Sequence, residues 1–323
     1  MISRVKARAH ANIALVKYWG KREGAGNVPA TPSISLTLDS LVTDTEVLRI
    51  DGKTDSVSLD GLPADVNAHK RIVCYLDHWR ASGLIDGHFQ IKSANSFPTA
   101  AGLASSASGF AALATALREF SETRISKSVL SRLARRGSGS AARSIPGGLA
   151  AMPTGTDPAA RLLMPASDIQ WGMVVAIAQE TEKEIGSRTG MEMSRKSSPY
   201  YSAWLACAKR DYRSMLRAIS QKNFTEIGQI AEQNALAMHA CMIATRPQLI
   251  YWNETTVRLI KNAHEYRKGG IETYITIDAG ANVVFFCRLD SIDDVKNEVE
   301  KTDGVKSVIK AGPAPGAEVL EWE

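Results

Sequence analysis

The sequence predicts an α+β fold in which two lobes face one cleft. Strand-like alternation dominates the first fifth of the chain, whereas helical spacing dominates the second half. Strands and helices mix without a strict βαβ repeat, which argues against a parallel doubly wound sheet. No Pro/Gly/Ser-rich linker divides the 323 residues, so the halves are expected to pack together as residues 1–180 and 181–323.

Residues 3–9 alternate, as do Ser33–Leu38 and Thr43–Ile50, the last ending at an Asp51-Gly52 turn. Residues 54–59 are expected as a second hairpin arm. Apolar spacing at Ile72, Val73, Tyr75, Leu76 and Trp79 predicts a helix over 64–82. His88–Ser93 reads as a strand. From about Ala104 to Phe120 an alanine-rich helix should pack closely in the interior. Ser126 caps a further helix ending near Arg136. Gly147-Gly148 and Met152–Pro158 mark turns, and Trp171–Ala178 is a buried strand. Pro199–Ala208, Tyr212–Gln221, Phe224–Ala244 and Glu254–Tyr266 have helical spacing. Strands at Thr273–Ile277 and Val283–Arg288 flank an Asp278-Ala-Gly turn. A helix over 291–300 and a strand over 305–310 complete the expected elements.

Composition narrows the function. A net charge of +5, with 39 basic and 34 acidic residues, suits an anionic small molecule. The densest basic cluster, Arg132, Arg135, Arg136 and Arg143, lacks the aromatic interleaving of a nucleic-acid surface. No stretch has the ~20 apolar residues that span a bilayer, and no apolar leader opens the chain. Cys74, Cys207, Cys241 and Cys287 are scattered, as expected of free thiols in a reducing cytoplasm. Walker, dinucleotide and hydrolase-elbow motifs are absent. His239 and Cys241 are two apart and read as core rather than as metal ligands.

The richest stretch is 95–109, Asn-Ser-Phe-Pro-Thr-Ala-Ala-Gly-Leu-Ala-Ser-Ser-Ala-Ser-Gly. A serine at a helix start is by itself an ordinary cap. Here Pro98 fixes a loop, Gly102 permits close approach, and Ser105 and Ser106 open the helix, which makes a phosphate cradle of its free N–H groups. Lys17, Tyr18 and Lys21 follow the apolar Ile13-Ala-Leu-Val and flank Trp19-Gly20, where ammonium and phenol groups suit a diphosphate. Gly137-Ser-Gly-Ser140 exposes backbone N–H groups and hydroxyls, and Arg143 adds a two-pronged donor. Asp278, after an apolar strand, is either a turn former or a carboxylate kept ionised by nearby cations.

These words, together with Ala9–Arg22, Ala134–Gly148 and Thr276–Asn282, resemble the mevalonate diphosphate decarboxylase branch of the GHMP small-molecule kinases. The resemblance runs from about residue 7 to 316. It implies a ribosomal-protein-S5-like first lobe and a ferredoxin-like second lobe. It implies ATP-dependent decarboxylation of (R)-5-diphosphomevalonate through phosphorylation of its 3-hydroxyl, with ATP and Mg²⁺. Asp278 would act on that hydroxyl, with Lys17, Arg143 and Ser187 beside it. Ala14, Tyr18, Lys21, Ser138, Gly139, Ser140 and Arg188 would bind substrate. Lys92, Ser93, Asn95, Ser96, Ala101, Gly102, Ser105 and Ser106 would hold ATP, with no protein side chain assigned to the metal. The chain departs from the family at Gly186, where Ser is common, at Ala281, where Pro is common, and at Ala142, where Cys is common. Gly312-Pro-Ala-Pro-Gly316 resembles an altered third motif, expected to buttress the site. A homodimer, without nucleic-acid or membrane partners, is also implied. Related chemistries are decarboxylation of the monophosphate and phosphorylation at the 3-hydroxyl alone. A noncatalytic nucleotide-binding protein is the reading from another class.

Overall fold

Two sheets, largely antiparallel, form the frame of the computed structural model, which describes residues 2–24, 26–97, 105–179, 181 and 183–323. The first sheet is built on two long strands, β1 (Arg4–Val16) and β2 (Ser33–Ile50). The two alternating stretches expected within 33–50 are one strand, and the strand expected at 3–9 continues through the apolar run to Val16, buried on both faces from Ala9 onward. β3 (Ser56–Leu59), β4 (Leu62–Pro63) and β5 (His88–Asn95) extend the sheet, with β12 (Glu318–Trp322) on its far edge. The order is β12-β1-β2-β5-β3-β4, and β6 (Leu149–Met152) pairs with β2 and with β7 (Arg161–Met164). β3 does not return along β2. It pairs with β4 and runs parallel to β5, with Val57 opposite Ile91.

Three helices cover one face of this sheet: α1 (Val66–Ala81), α2 (Ser105–Glu119) and α3 (Lys127–Gly137). Ala107, Ala111, Ala112, Ala114 and Ala116 of α2 are all fully buried, and their small side chains let the helix lie close on Ala7 and Ala9 of β1. Ser126 does cap α3, accepting the Val129 N–H. The one-turn α4 (Ala141–Ser144) follows it.

In the second sheet β8 (Trp171–Ile177), β9 (Thr273–Ile277), β10 (Val283–Arg288) and β11 (Ser307–Ala311) stand in the order β11-β8-β10-β9. This is the fourth-first-third-second arrangement of a ferredoxin-like split βαβ unit. Its period of two divides the residues cleanly. Val174, Ala176, Val283 and Phe285 face α8 (Glu254–Lys268) and α9 (Ile292–Glu300). Met173, Val175, Val284 and Phe286 share a core with Ile13, Leu15, Ile34 and Leu36 of the first sheet. That shared core also takes in residues of α6 (Tyr201–Ser220) and α7 (Phe224–Ile243). α5 (Ser187–Ser197) completes the helices.

The glycine-rich segment 312–316 does brace the frame. Gly312 donates to Asp39, and the Ala317 N–H reaches the Ser144 carbonyl. Gly147, at φ +70°, lies so close to the Pro315-Gly316 backbone that a Cβ would fall 2.1 Å from the Gly316 nitrogen. Among the described residues no helix is long and apolar enough to cross a membrane.

Candidate active site

Five chain segments end at one cleft of 680 Å³. β1 delivers Lys17 and β9 delivers Asp278. The turn from α3 into α4 brings Ser138, Gly139, Ser140 and Arg143, while the starts of α2 and α5 bring Ser105, Ser106, Ser187 and Arg188.

Lys17 is 1% exposed, and its Nζ lies 2.6 Å from Asp278 Oδ1. Burial pulls the Lys17 ammonium below the ordinary lysine value. The Asp278 carboxylate opposes that shift and the Arg143 guanidinium adds to it. Asp278 keeps 30% of its side chain exposed, toward the cleft. Arg143 is 2% exposed and anchored, with Nε donating to Ser35 Oγ at 2.8 Å and Nη1 to Ser33 Oγ at 2.7 Å. Burial lowers it to about 10. Its other N–H groups are the ones available to the cleft. Asn12 lines the same wall. Its amide donates to the Ser140 carbonyl and Ser144 Oγ, and its buried Oδ1 has no partner among the described residues.

On the outer side lie Tyr18, Lys21, Arg71 and Arg188. Tyr18 donates to the Asn27 carbonyl at 3.0 Å, and burial pushes its phenol up. The ring rests on Gly139, where a Cβ would fall 2.3 Å from the hydroxyl oxygen. Lys21 Nζ donates to Asn27 Oδ1 at 2.8 Å, and Asn27 holds the left-handed φ of 53° that asparagine tolerates. Burial, with Arg188 and Arg71 nearby, lowers Lys21 to about 8. Arg71 is lowered to about 10, by burial first and Arg188 second. Its guanidinium stands 4.6 Å over Phe110 and donates to the Gly137 carbonyl. Ser138 is linked to Ser106 and to Ser140 at 3.1 and 3.2 Å. Ala14 also lines the cleft. Lys183 donates to Ser187 Oγ at 2.8 Å and to the Ala279 carbonyl at 2.7 Å.

A second cavity, of 170 Å³, adjoins the first at Arg71, Ser105 and Ser106. It is lined by Ser93, Asn95 and Thr45 together with Leu59, Ile72, Ile91, Phe110 and Leu113. Such a slot, apolar with a few polar groups beside a helix N-terminus, suits a nucleoside and its phosphates. Four of the nucleotide candidates therefore meet here: Ser93, Asn95, Ser105 and Ser106. Lys92 and Ser96 lie apart. Lys92 pairs with Glu46 at 3.4 Å, and Ser96 ties Val42 and Ser40 of β2. Ala101 and Gly102, with Pro98, lie outside the described residues. Among the described residues no three His, Cys, Asp or Glu side chains converge as a metal cage.

Sequence reasoning missed Asn12, Asn27, Arg71 and Lys183. Asn12 sits inside the Ala9–Arg22 word that drew attention to its neighbours. Asn27 follows Gly26 at a turn. Arg71 carries no local signal, because a cation beside an apolar helical stripe is ordinarily just the solvated edge.

Residues 9–162 match a family model described as the diphosphomevalonate decarboxylase-like N-terminal domain. Residues 173–311 match the mevalonate 5-diphosphate decarboxylase C-terminal domain. Diphosphomevalonate decarboxylase of Candida albicans is 32% identical over 300 residues, 86% of this chain and 82% of that protein. The crystal structure of mevalonate diphosphate decarboxylase from Staphylococcus aureus superposes with a TM-score of 0.94 at 36% identity, covering 99% of both chains. The structure of MDDEF in complex with MVAPP, AMPPCP and magnesium superposes at 0.92 with 35% identity, over 99% of this chain and 100% of that one.

Proposed function

This chain belongs to the diphosphomevalonate decarboxylase family, and we propose on that premise that its cleft converts (R)-5-diphosphomevalonate and ATP to isopentenyl diphosphate, ADP, phosphate and carbon dioxide. The observation that carries this reading is the Lys17–Asp278 pair at 2.6 Å, closed off at the lysine and open at the carboxylate, beside the anchored Arg143. The lobes in this reading are residues 1–180 and 181–323, with β8 of the first lending a strand to the sheet of the second.

Asp278 Oδ1 is held by Lys17, so Oδ2 is the oxygen that takes the proton of the substrate's 3-hydroxyl. Lys17, donating to Oδ1, fixes the orientation of the carboxylate for that step. Asn12 Oδ1, buried and unpartnered among the described residues, orients the substrate by accepting a hydrogen bond. Tyr18, Lys21, Arg71, Arg188 and the Ser138–Ser140 turn hold the diphosphate, and Ser187 supports it from the start of α5. Magnesium-bound ATP supplies the phosphoryl group. Ser105 and Ser106 with the α2 N-terminus face its phosphates, and Mg²⁺, which keeps waters and phosphate oxygens as ligands, needs no dedicated protein cage. The phosphorylated C3 oxygen then leaves as phosphate. The bond from C2 to the carboxyl group breaks, and its electron pair becomes the new double bond as carbon dioxide departs. Arg143, across from Lys17, holds the carboxylate until that point. Positioning and fixed charge supply most of the catalysis.

The test offers mevalonate, its 5-phosphate and its 5-diphosphate in parallel and follows ADP and carbon dioxide. Equal release of both from the diphosphate alone is expected. ADP without carbon dioxide, or preference for the monophosphate, overturns the assignment. Two further parts of this reading are a cytoplasmic location, supported by four free thiols, and a homodimer, which sedimentation tests.

A further inference from the structure

The partners in the reacting pair come from different sheets. Lys17 follows β1 of the first and Asp278 follows β9 of the second, so any slip between the sheets changes the 2.6 Å separation. Thr276 Oγ1 donates to the Ala14 carbonyl at 2.9 Å and ties β9 to β1 directly. A second tie passes through α7. Asn234 is fully buried, and its Oδ1 accepts the Lys17 backbone N–H at 2.8 Å. Its Nδ2 donates to Asp211 Oδ2 at 2.9 Å, and that buried carboxylate also accepts the Cys207 thiol. Farther along the helix, His239 is 1% exposed. Its Nε2 lies 3.3 Å from the Ile277 carbonyl and 3.2 Å from the Asp278 carbonyl. Carbonyls only accept, so Nε2 carries the proton. The ring lies 4.8 Å from that of Trp252, which fixes its plane. Glu232 of the same helix accepts the Ile275 N–H, so α7 grips β9 at two levels.

We infer that Asn234 and His239 are positioning residues for the reacting centre, one holding the backbone of Lys17 and the other the backbone at Asp278. This rests on the reading of Lys17 and Asp278 given above. Neither side chain touches the substrate in this scheme. Both act through the two groups that do. A buried polar group that merely satisfies its neighbours contributes to stability and leaves the turnover of folded enzyme alone. A positioning group affects kcat without weakening substrate binding, because Tyr18, Lys21 and Arg188 are not disturbed.

The experiment uses the full chain with His239→Phe, which keeps a ring against Trp252, and Asn234→Leu, which keeps the bulk without the amide. Diphosphomevalonate affinity is measured by direct binding, turnover by carbon dioxide release and folding by thermal melting. Each variant is expected to lose about ten- to a hundredfold in kcat, with affinity unchanged within about threefold. His239→Gln, whose amide reaches as far as Nε2, should restore most of the loss. His239→Asn, whose amide falls short, should not. The double variant should lose less than the product of the singles, since both act on one pair. A kcat within about twofold of the parent in folded His239→Phe, or a loss that Gln and Asn restore equally, overturns the inference. If the Phe and Leu variants fail to fold, the Gln and Asn pair decides. Asp278→Asn separates the premises. If it is inactive while the α7 variants turn over normally, only the positioning role falls. If it turns over normally, the reading of the site falls and this inference with it.

Discussion

Lys21 offers the sharpest link between the fold and a measurable quantity. Burial, then Arg188, then Arg71 lowers its ammonium to about 8. A cation that must meet a diphosphate is then lost just above neutrality. Below about pH 8 Lys21 is charged in the free enzyme. Above it the neutral amine offers a weaker donor and no charge. A hydrogen bond to a charged group contributes about 1.5–3 kcal/mol, so the loss amounts to roughly ten- to a hundredfold in affinity. The kcat/KM for diphosphomevalonate reports the free enzyme, so it should fall as pH rises through about 8. kcat should lack that limb, because the bound diphosphate holds the proton on Lys21. Lys21→Arg keeps its charge throughout and should flatten the limb whatever its absolute rate. Titration of the substrate is common to both enzymes and cancels in the comparison. Tyr18 is pushed upward, and Arg71 and Arg143 lie at about 10, so none of the three explains a limb at 8. Buried Lys17 is also pulled down, but its limb would persist in Lys21→Arg and appear in kcat. Steady-state kinetics from pH 7 to 9.5 decide, and a flat profile or a limb surviving in Lys21→Arg refutes the reasoning.

Asp278→Asn should lower kcat by about 10²- to 10⁴-fold, the usual range for a lost general base, while diphosphomevalonate still binds in calorimetry. Gly139→Ala places a Cβ 2.3 Å from the Tyr18 hydroxyl and 2.4 Å from its Cζ. The ring must move off the diphosphate side, and KM should rise about tenfold while the melting temperature changes little; an unchanged KM would contradict the role given to Tyr18. His239 is lowered to about 3 by burial, with Lys17 also disfavouring its protonation. Between its ordinary value near 6.5 and about 3 the unfolded chain binds a proton that the native state does not. Stability should therefore fall as pH falls, by at most about 1.4 kcal/mol per unit for this group. Urea unfolding at pH 6 and pH 5 should show a smaller difference in His239→Gln than in the parent.

What the sequence made legible was local. Lys17, Tyr18 and Lys21 stand within five residues behind an apolar run, and Asp278 ends a five-residue strand, so short words sufficed. Groups brought in by distant elements left no such mark. Arg71 looks like any cation beside a helical stripe, and nothing in the spacing of α7 says that Asn234 reaches β1 and His239 reaches β9. The misplaced elements have similar causes. Lys209-Arg-Asp211 read as a break between two helices, yet α6 runs straight through it, because only Asp211 turns inward. α5 buries just Gly190, Met191 and Ser194, too thin a stripe to register. β12 is an edge strand with Glu318 and Glu321 among its apolar residues, and β1 is its strand partner. Residues 54–59 are expected as a hairpin arm and Ser56–Leu59 do form strand β3, but a local reading carries no information about which neighbour a strand chooses.

The electrostatics of the cleft explain why it is built across two sheets. Among the described residues it gathers Lys17, Lys21, Arg71, Arg143, Lys183 and Arg188 against only Glu184 and Asp278. Like charges brought together and desolvated oppose folding, and the lowered values of Lys21, Arg71 and Arg143 record that opposition. Side chains on one element would spread apart to relieve it. Here four of the cations are anchored separately: Lys21 by Asn27, Arg71 by the Gly137 carbonyl and Phe110, Arg143 by two serines of β2, and Lys17 by Asp278. Each anchor belongs to a different part of the chain, and the shared core of the two sheets holds those parts in place. These four cations therefore keep their positions without a ligand, and a diphosphate enters a field already formed rather than one it must assemble. The same logic places the carboxylate. Among the described cleft residues Asp278 is the acidic group paired to a buried cation, and that pairing fixes which of its oxygens faces the substrate. A site for polyanions and a base held in place thus follow from one arrangement, in which Lys17 follows a strand of one sheet, the carboxylate is brought to it by a strand of the other, and helices around them supply further cations.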